Sequence, residues 1–476
     1  MNALPRGWAV ATIEELAAER GVTDGPFGSN LKTEHYTESG PRVVRLQNIG
    51  DGVFRDEKAH ISDEHFDRLT KHAVEPSDVL VASLGEQLPR ACMAPESLGP
   101  AIVKADCIRV RAGAGVVPAL LMWSLNAPQT RQRVGESIKG VGRPRVNLGD
   151  LRALELAIPP LPEQERIVAA IEEAFSKLDA GEAGLRTVRR LLKRTRDAVL
   201  AAAVTGRLVP QDPTDTPATE LLADVGAEAV DPPVSEATPI GWAWSLLGEV
   251  TEIGGGIQKQ PKRAPSRHPV PFLRVANVGR GTLDLDDVHL IEVFDGELAR
   301  YGLRAGDLLV VEGNGSADQI GRAALWPGAI EPCVHQNHLI RVRPTRVVVP
   351  AFLELYWNSP GGSHRVQSVA SSTSGLHTLS TGKLKSLPVV VPPLEEQARI
   401  VAEVERQLTF LDVCERTTYA ELTRSAALRR SVLKSAFEGR LVPQDPSDEP
   451  ASVLLDRIRA ERAAAPKPAR RARRTA

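Results

Sequence analysis

The octapeptide GRLVPQDP occurs twice in this chain of 476 residues, at Gly206–Pro213 and again at Gly439–Pro446. Chance does not repeat eight residues in a protein of this size, and the offset (206 to 439) holds well beyond the octapeptide. PPLPEQERIV (Pro159–Val168) stands the same distance before PPLEEQARIV (Pro392–Val401), and PATELL (Pro217–Leu222) before PASVLL (Pro450–Leu455). A block of about 70 residues is therefore present twice with no insertion or deletion. Such length rigidity is what a packed helix needs, because one added residue turns everything after it through about 100°. The chain is two copies of one unit, and its function should be two-handed.

The repeat extends weakly into the region before each block. Gly7-Trp8 matches Gly241-Trp242, VVRLQNIGDG (Val43–Gly52) matches FLRVANVGRG (Phe272–Gly281), and CIRVR (Cys107–Arg111) matches LIRVR (Leu339–Arg343). The offset drifts here, so these regions share a fold and tolerate indels. They read as short strands between Gly, Pro, Asn and Asp turns.

Within the block, apolar or small residues recur at 3–4 spacing for about five heptads: Ile167, Ile171, Ala174, Leu178, Gly181, Leu185, Val188, Leu192, Thr195, Val199 and Ala202. The second copy gives Ile400, Val404, Leu411, Cys414, Leu422, Leu428 and Val432, with a slip near Thr417–Glu421. A seam sustained this long is that of a coiled coil. Each helix begins after a proline with acids in its first turn and ends at Gly206 or Gly439, a glycine suited to the left-handed cap. Two equal helices in a domain–helix–domain–helix chain pair antiparallel about a pseudo-two-fold axis. The expected fold is α+β: a strand-rich domain at 1–158, a helix at 159–206, a Pro-rich linker at 207–240, a second strand-rich domain at 241–391, a second helix at 392–439, and a segment at 440–476 ending in a basic tail.

Chemistry is mostly absent. There is no GxxxxGK[ST] loop for nucleotide phosphates and no [DN]PP[YFW] for an adenine methyltransferase, since Asp231-Pro232-Pro233 is followed by Val234. Cys333, His335 and His338 lack a fourth ligand at usual spacing, so strand residues are preferred to a metal site, and no metal or catalytic residue is assigned. Four scattered cysteines without CxxC fit a reducing compartment. No apolar run approaches the roughly 20 residues that span a membrane, so a soluble, cytoplasmic protein is expected.

Net charge is near zero, 59 basic against 60 acidic residues, so any case for nucleic acid must be local. From Ile253 to Leu283 there is no acid, while Lys259, Lys262, Arg263, Arg267, Arg274 and Arg280 fall inside. In the first half Arg109, Arg111, Arg131, Arg133, Lys139, Arg143 and Arg145 are interrupted only by Glu136. Two such stretches, one per duplicated domain, point to two DNA-facing patches. Lys139, Arg143 and Arg145 are the candidate contacts in the first domain, and Lys259, Lys262, Arg263 and Arg267 in the second. Gln47, Asn48, Gln258, Gln260 and Asn337 are of the type that reads adenine edges, and are also ordinary turn residues.

The paired motifs PPLPEQERIV…GRLVPQDP and PPLEEQARIV…GRLVPQDP, each behind a domain carrying DGPFGS…VVRLQNIGDG or GGGIQ…FLRVANVGRG, resemble the specificity subunit of type I restriction–modification enzymes over nearly the whole chain. The resemblance implies two target recognition domains, each reading half of a bipartite double-stranded DNA sequence, with the helices as an antiparallel coiled-coil spacer. It implies two modification subunits that methylate adenine, and restriction subunits that translocate and cleave. S-adenosylmethionine, ATP and Mg would then sit on those partners, with no cofactor on this chain. Two other classes are weighed against it. A structural coiled-coil adaptor would not need two divergent domains, and a self-contained DNA-modifying enzyme would need the loops that are missing.

Overall fold

The computed structural model describes residues 4–137, 144–233, 238–314, 319–373 and 376–464. They form two compact units: residues 1–185 with 420–476, and residues 186–419. Neither unit coincides with one repeat of the sequence. Each takes its strand-rich domain and the first half of the following long helix from one repeat, and the second half of a long helix from the other.

In the first unit the strand Ala9–Thr12 pairs antiparallel with Glu155–Ile158, the strand that leads into the first long helix, Leu161–Ala203. A four-stranded sheet runs in the order Ala17–Asp24, Cys107–Ala112, Val79–Ala82, Arg90–Met93. A second one is built on Tyr36–Val44, whose end pairs in parallel with Ala101–Val103. The second unit repeats the plan. Ala243–Leu246 pairs with Pro388–Val391 ahead of the second long helix, Leu394–Ala436. The order Thr251–Gly255, Leu339–Pro344, Leu308–Val311, Ala323–Leu325 reproduces the first sheet. The central strands VLVA and LLVV are wholly buried, as their unbroken apolar sequences require. Each begins at a buried aspartate held by an arginine of the neighbouring strand: Asp78 with Arg111 at 2.8 Å, and Asp307 with Arg343 at 2.6 Å. Both carboxylates also accept a backbone N–H, from Glu75 and Arg304, so the buried charge is fully used.

The repeated block accounts for itself residue by residue. In the first unit Trp8 Nε1 donates to Glu163 at 3.1 Å, and in the second Trp242 Nε1 donates to Glu396 at 2.9 Å. Burial raises both carboxyls, and the indole N–H opposes that rise. Gln164 accepts from Val117 N and donates to Pro159 O, while Gln397 accepts from Val349 N and donates to Pro392 O. This is the work of the EQ pair in the repeated motif. Gly206 and Gly439 end the helices at φ +67 and +68, where a glycine is favoured. A Cβ at Gly206 would lie 2.5 Å from Pro239, and one at Gly439 2.5 Å from Pro5. The octapeptide then turns back. Asp448 reaches Arg166 in the first unit at 2.6 Å, and Asp215 reaches Arg399 in the second at 2.5 Å. Ala451 N donates to Gly7 O and Ala218 N to Gly241 O, each at 2.8 Å. Each octapeptide therefore closes on the helix start of the other repeat, and both must fit the same surface.

The long helices pair antiparallel in both units. In the first, Arg429 reaches Asp179 at 2.6 Å and Glu182 at 3.2 Å. In the second, Arg196 reaches Asp412 and Glu415, the same three residue types with the helices exchanged. The seam differs from the one expected. Leu178, Leu185 and Leu192 follow a seven-residue repeat on the inner side, but Val188 and Leu428 are exposed. The contact line passes instead through Glu182, Arg196, Thr418, Ser425 and Arg429. Apolarity at a 3–4 spacing admitted two neighbouring lines, and the ion pairs select between them.

Candidate nucleic-acid interface

In the second unit the acid-free stretch folds into a loop, residues 258–268, that is held by acids from outside it. Pro269–Leu273 pairs antiparallel with His289–Glu292, which puts Glu292 opposite Pro269 at the end of the loop. Its carboxylate accepts the backbone N–H groups of Ser266 at 2.8 Å, Arg267 at 3.1 Å and His268 at 2.8 Å. Burial works against the charge, but the three donors prevail and hold the Glu292 carboxyl below its usual range. Glu297 takes Arg263 in a two-pronged contact at 2.7 Å and also accepts Phe294 N at 2.9 Å. The Arg263 guanidinium brings the Glu297 carboxyl down to about 2, and stacks 4.8 Å from the Phe294 ring centre.

The four cations expected at this place thus fall into two kinds. Arg263 is engaged in shaping the loop. Lys259, Lys262 and Arg267 are exposed, and no ion pair engages them among the described residues. Between the loop and its two strands lies a cavity of about 700 Å³ lined by Lys259, Gln260, Arg263, Phe272, His289 and Ile291. The loop offers cations at its surface and an apolar floor beneath, on a backbone fixed by two carboxylates. That arrangement suits a polyanion whose shape is read by a preformed surface.

In the first unit Lys139 and Arg143 lie outside the described residues. Arg145 pairs with Asp106 at 2.8 Å and lies 5.8 Å over the Phe27 ring, at the edge of a hollow of about 320 Å³ that also touches Asn147. The other cations of that stretch are committed to the fold. Arg109 donates to Ala73 O and Arg20 O, Arg111 holds Asp78, Arg131 holds Asp51, and Arg133 donates to Glu155 O. Counting cations along the chain therefore overstated the first patch. Asn48 and Asn277 are likewise structural, each accepting the N–H of the arginine three residues before it at 2.8 Å. Glu292 and Glu297 were not singled out from the sequence. Only Glu297 carried a signal there, as an acid in the first turn of a helix.

Cys333, His335 and His338 do not converge. Burial pushes the Cys333 thiol up to about 12 and the His335 ring down to about 4. His335 Nδ1 donates to Leu339 O at 3.0 Å, and His338 faces Glu312 at 3.1 Å. Among the described residues no group of three or more His, Cys, Asp or Glu is placed to hold a metal, and no helix is long and apolar enough to cross a membrane.

No protein-family model matches the chain. The specificity subunit of the type I restriction enzyme EcoKI of Escherichia coli is 26% identical over 486 residues, covering 97% of both chains. The specificity subunit of StySPI of Salmonella potsdam is 26% identical over 484 residues, 97% of this chain and 96% of that one. Similarity on this scale runs through both repeats. The chain is similar from end to end to specificity subunits of type I restriction enzymes. A chain solved in work on complex assembly and conformational transition of a type I restriction–modification system matches the fold with a TM-score of 0.63 at 21% identity, over 92% of this chain and all of that one. In this chain the repeated frame holds two domains that share a sheet order and differ in their cationic surfaces.

Proposed function

We propose that the chain is the sequence-reading subunit of a type I restriction–modification complex. Residues 1–158 and 241–391 are the two target recognition domains, each taking half of a bipartite double-stranded DNA site. Arg145, with Lys139 and Arg143, serves the first half, and Lys259, Lys262 and Arg267 on the fixed loop serve the second. The chain carries no catalytic centre of its own. It scaffolds two modification subunits, which bring S-adenosylmethionine, and restriction subunits, which bring ATP and Mg. It works in the cytoplasm, where its DNA lies. The observation that carries this reading is the frame built twice around two dissimilar domains, in a chain similar end to end to known specificity subunits. The test is methylome sequencing of cells carrying this chain and its partners, with residues 238–391 exchanged for those of a relative. One half of the methylated sequence should change and the other stay. A change in both halves would show that the domains do not read independently.

A further inference from the structure

The strands beneath the fixed loop of the second unit have an apolar face that the loop does not fill. Phe272 and His289 are register partners, and Ile291 lies two residues on, so the three side chains share one face. That face belongs to a buried cluster of Ile257, Val270, Phe272, Ile291, Val293 and Val334. The covering segment, Gln258 to His268, reads QKQPKRAPSRH and holds no apolar side chain larger than proline. Protein interiors are otherwise close-packed, and the cavity of about 700 Å³ is the space left over.

At the corresponding corner of the first unit the chain supplies its own filling. Val43, Ile61 and Ile102 are joined there by Leu31, from the segment ahead of Tyr36–Val44, and by Leu69, with Tyr36 and Phe66 packed against them. The same frame is therefore closed by apolar side chains in one unit and left open under cations in the other.

The cavity joins two chemistries. Its floor is Phe272 and Ile291, each only 2% exposed. At its rim stands the exposed Lys259, which no ion pair engages among the described residues. Gln260 and His289 also line it, and each can donate and accept. Arg263 gives both terminal nitrogens to Glu297, while its Nε–H is buried without an acceptor. An inorganic anion would leave the floor bare, and a hydrocarbon would leave Lys259 and the polar side chains without partners. A flat apolar body with polar edges and one attached negative charge uses them all, and pockets of about 300–1,000 Å³ enclose ligands of that size. We propose that this cavity seats a single nucleotide, with its base on Phe272 and Ile291 and its phosphate at Lys259. On the reading of the second unit as a DNA reader, on which this source rests, the nucleotide is one unstacked from a strand in the second half-site. A free mononucleotide has the same chemistry, and the test separates the two sources. The first unit, with its corner filled, leaves its half-site stacked, so the two readers work on DNA in different ways.

The test places 2-aminopurine at one position after another in the site bound by the assembled methyltransferase, leaving the methylated adenines unsubstituted. Stacking quenches this base, so a seated base brightens. One position of the second half-site should brighten by about fivefold or more, and none of the first. Ala264→Trp fills the cavity from the loop and Leu290→Trp from the strand, neither changing charge. Each should remove the brightening and leave the salt dependence of binding as it was. Both positions are exposed, so an unchanged melting temperature establishes that the variants are folded. In parallel the full chain is titrated by calorimetry with the four deoxynucleoside monophosphates. If no position brightens, a mononucleotide bound about tenfold more tightly by the unaltered chain than by Ala264→Trp assigns the seat to a free nucleotide. Neither signal, or a bright position that survives both tryptophans, overturns the seat. An equal rise in the first half-site overturns the difference between the readers. An assembled enzyme that does not bind its site at all overturns the functional reading beneath.

Discussion

Asp215 holds Arg399 at 2.5 Å across 184 positions of sequence. The aspartate follows the first octapeptide and the arginine opens the second long helix, so the contact ties the end of one repeat to the start of the other. Asp448 and Arg166 make the reciprocal tie in the first unit.

Asp215→Ala should therefore loosen the second unit only. The carboxylate is almost wholly buried, but Arg399 is over a third exposed, so solvent screening limits the cost to about 1 kcal/mol. Hydrogen exchange should quicken by about fivefold at 206–223 and 241–250, and stay unchanged at 439–464. Equal changes in both segments would contradict local closure.

Glu297→Gln removes the charge that holds Arg263 while keeping the size of the side chain. Both partners are mostly buried, so a loss of about 1.5–3 kcal/mol is expected, as for hydrogen bonds to charged groups. In the assembled methyltransferase, affinity for the correct site should fall several-fold more than affinity for random DNA. Equal losses on both DNAs would mean that Arg263 acts as a simple counter-charge.

Changing Lys259, Lys262 and Arg267 together to Ala should have the opposite signature. Each phosphate contact contributes roughly 0.9 to the slope of log affinity against log salt. The slope should therefore flatten by up to about three units, with the preference for sequence largely kept. An unchanged slope would assign these three side chains to a surface that DNA does not touch.

His335 makes stability depend on acid. Burial first, then the nearby Arg341 charge, lowers its ring to about 4. The unfolded chain takes up the proton near 6.5, so it binds more protons than the folded chain between those values. Stability is full above pH 6.5 and is lost as the pH falls toward 4, by about 1.4 kcal/mol per unit at most. Glu297, brought down to about 2, stays ionised through that window. His335→Asn keeps a donor for Leu339 O and removes the titration, so its melting temperature should fall less between pH 7 and pH 4.5. Parallel curves for the two proteins would place the acid sensitivity elsewhere.

The frame was readable before the structure because it is written twice, and residues such as Trp8, Glu163, Gln164 and Gly206 could be checked against their copies. Partners such as Arg166 and Asp448 were not readable, because nothing local joins positions 282 apart. The basic stretches misled in a systematic way. Arg109 and Arg111 look like their neighbours on paper, yet the sheet takes them to cap two carbonyls and hold Asp78. Burial separates a structural arginine from a DNA-facing one, and burial depends on strands that meet only in three dimensions. The seam failed at Val188 and Leu428 for a related reason, since its polar crossing residues, Glu182 and Arg429, earn their place through each other.

The two ion-pair sets also bear on insertions. Four residues added after residue 186 in the first long helix alone move Arg196 by about 6 Å relative to Glu182. The pairs with Arg429 and with Asp412 cannot then both form. Such a variant should melt several degrees lower and assemble poorly. A matching insertion after residue 419 in the second helix should recover both properties. Full recovery by a single insertion would show that the pairs do not set the register.

The first unit draws on residues 1–185 and 420–476, whereas everything in the second lies within 186–419. On the ribosome the domain made first is thus the one completed later, because the segment that covers Trp8, Ile13 and Leu16 has not yet been translated. A nascent chain can finish its second unit while its first still shows an apolar surface to chaperones and proteases. A product cut between residues 419 and 439 would hold a complete second unit beside a first unit that lacks its covering segment.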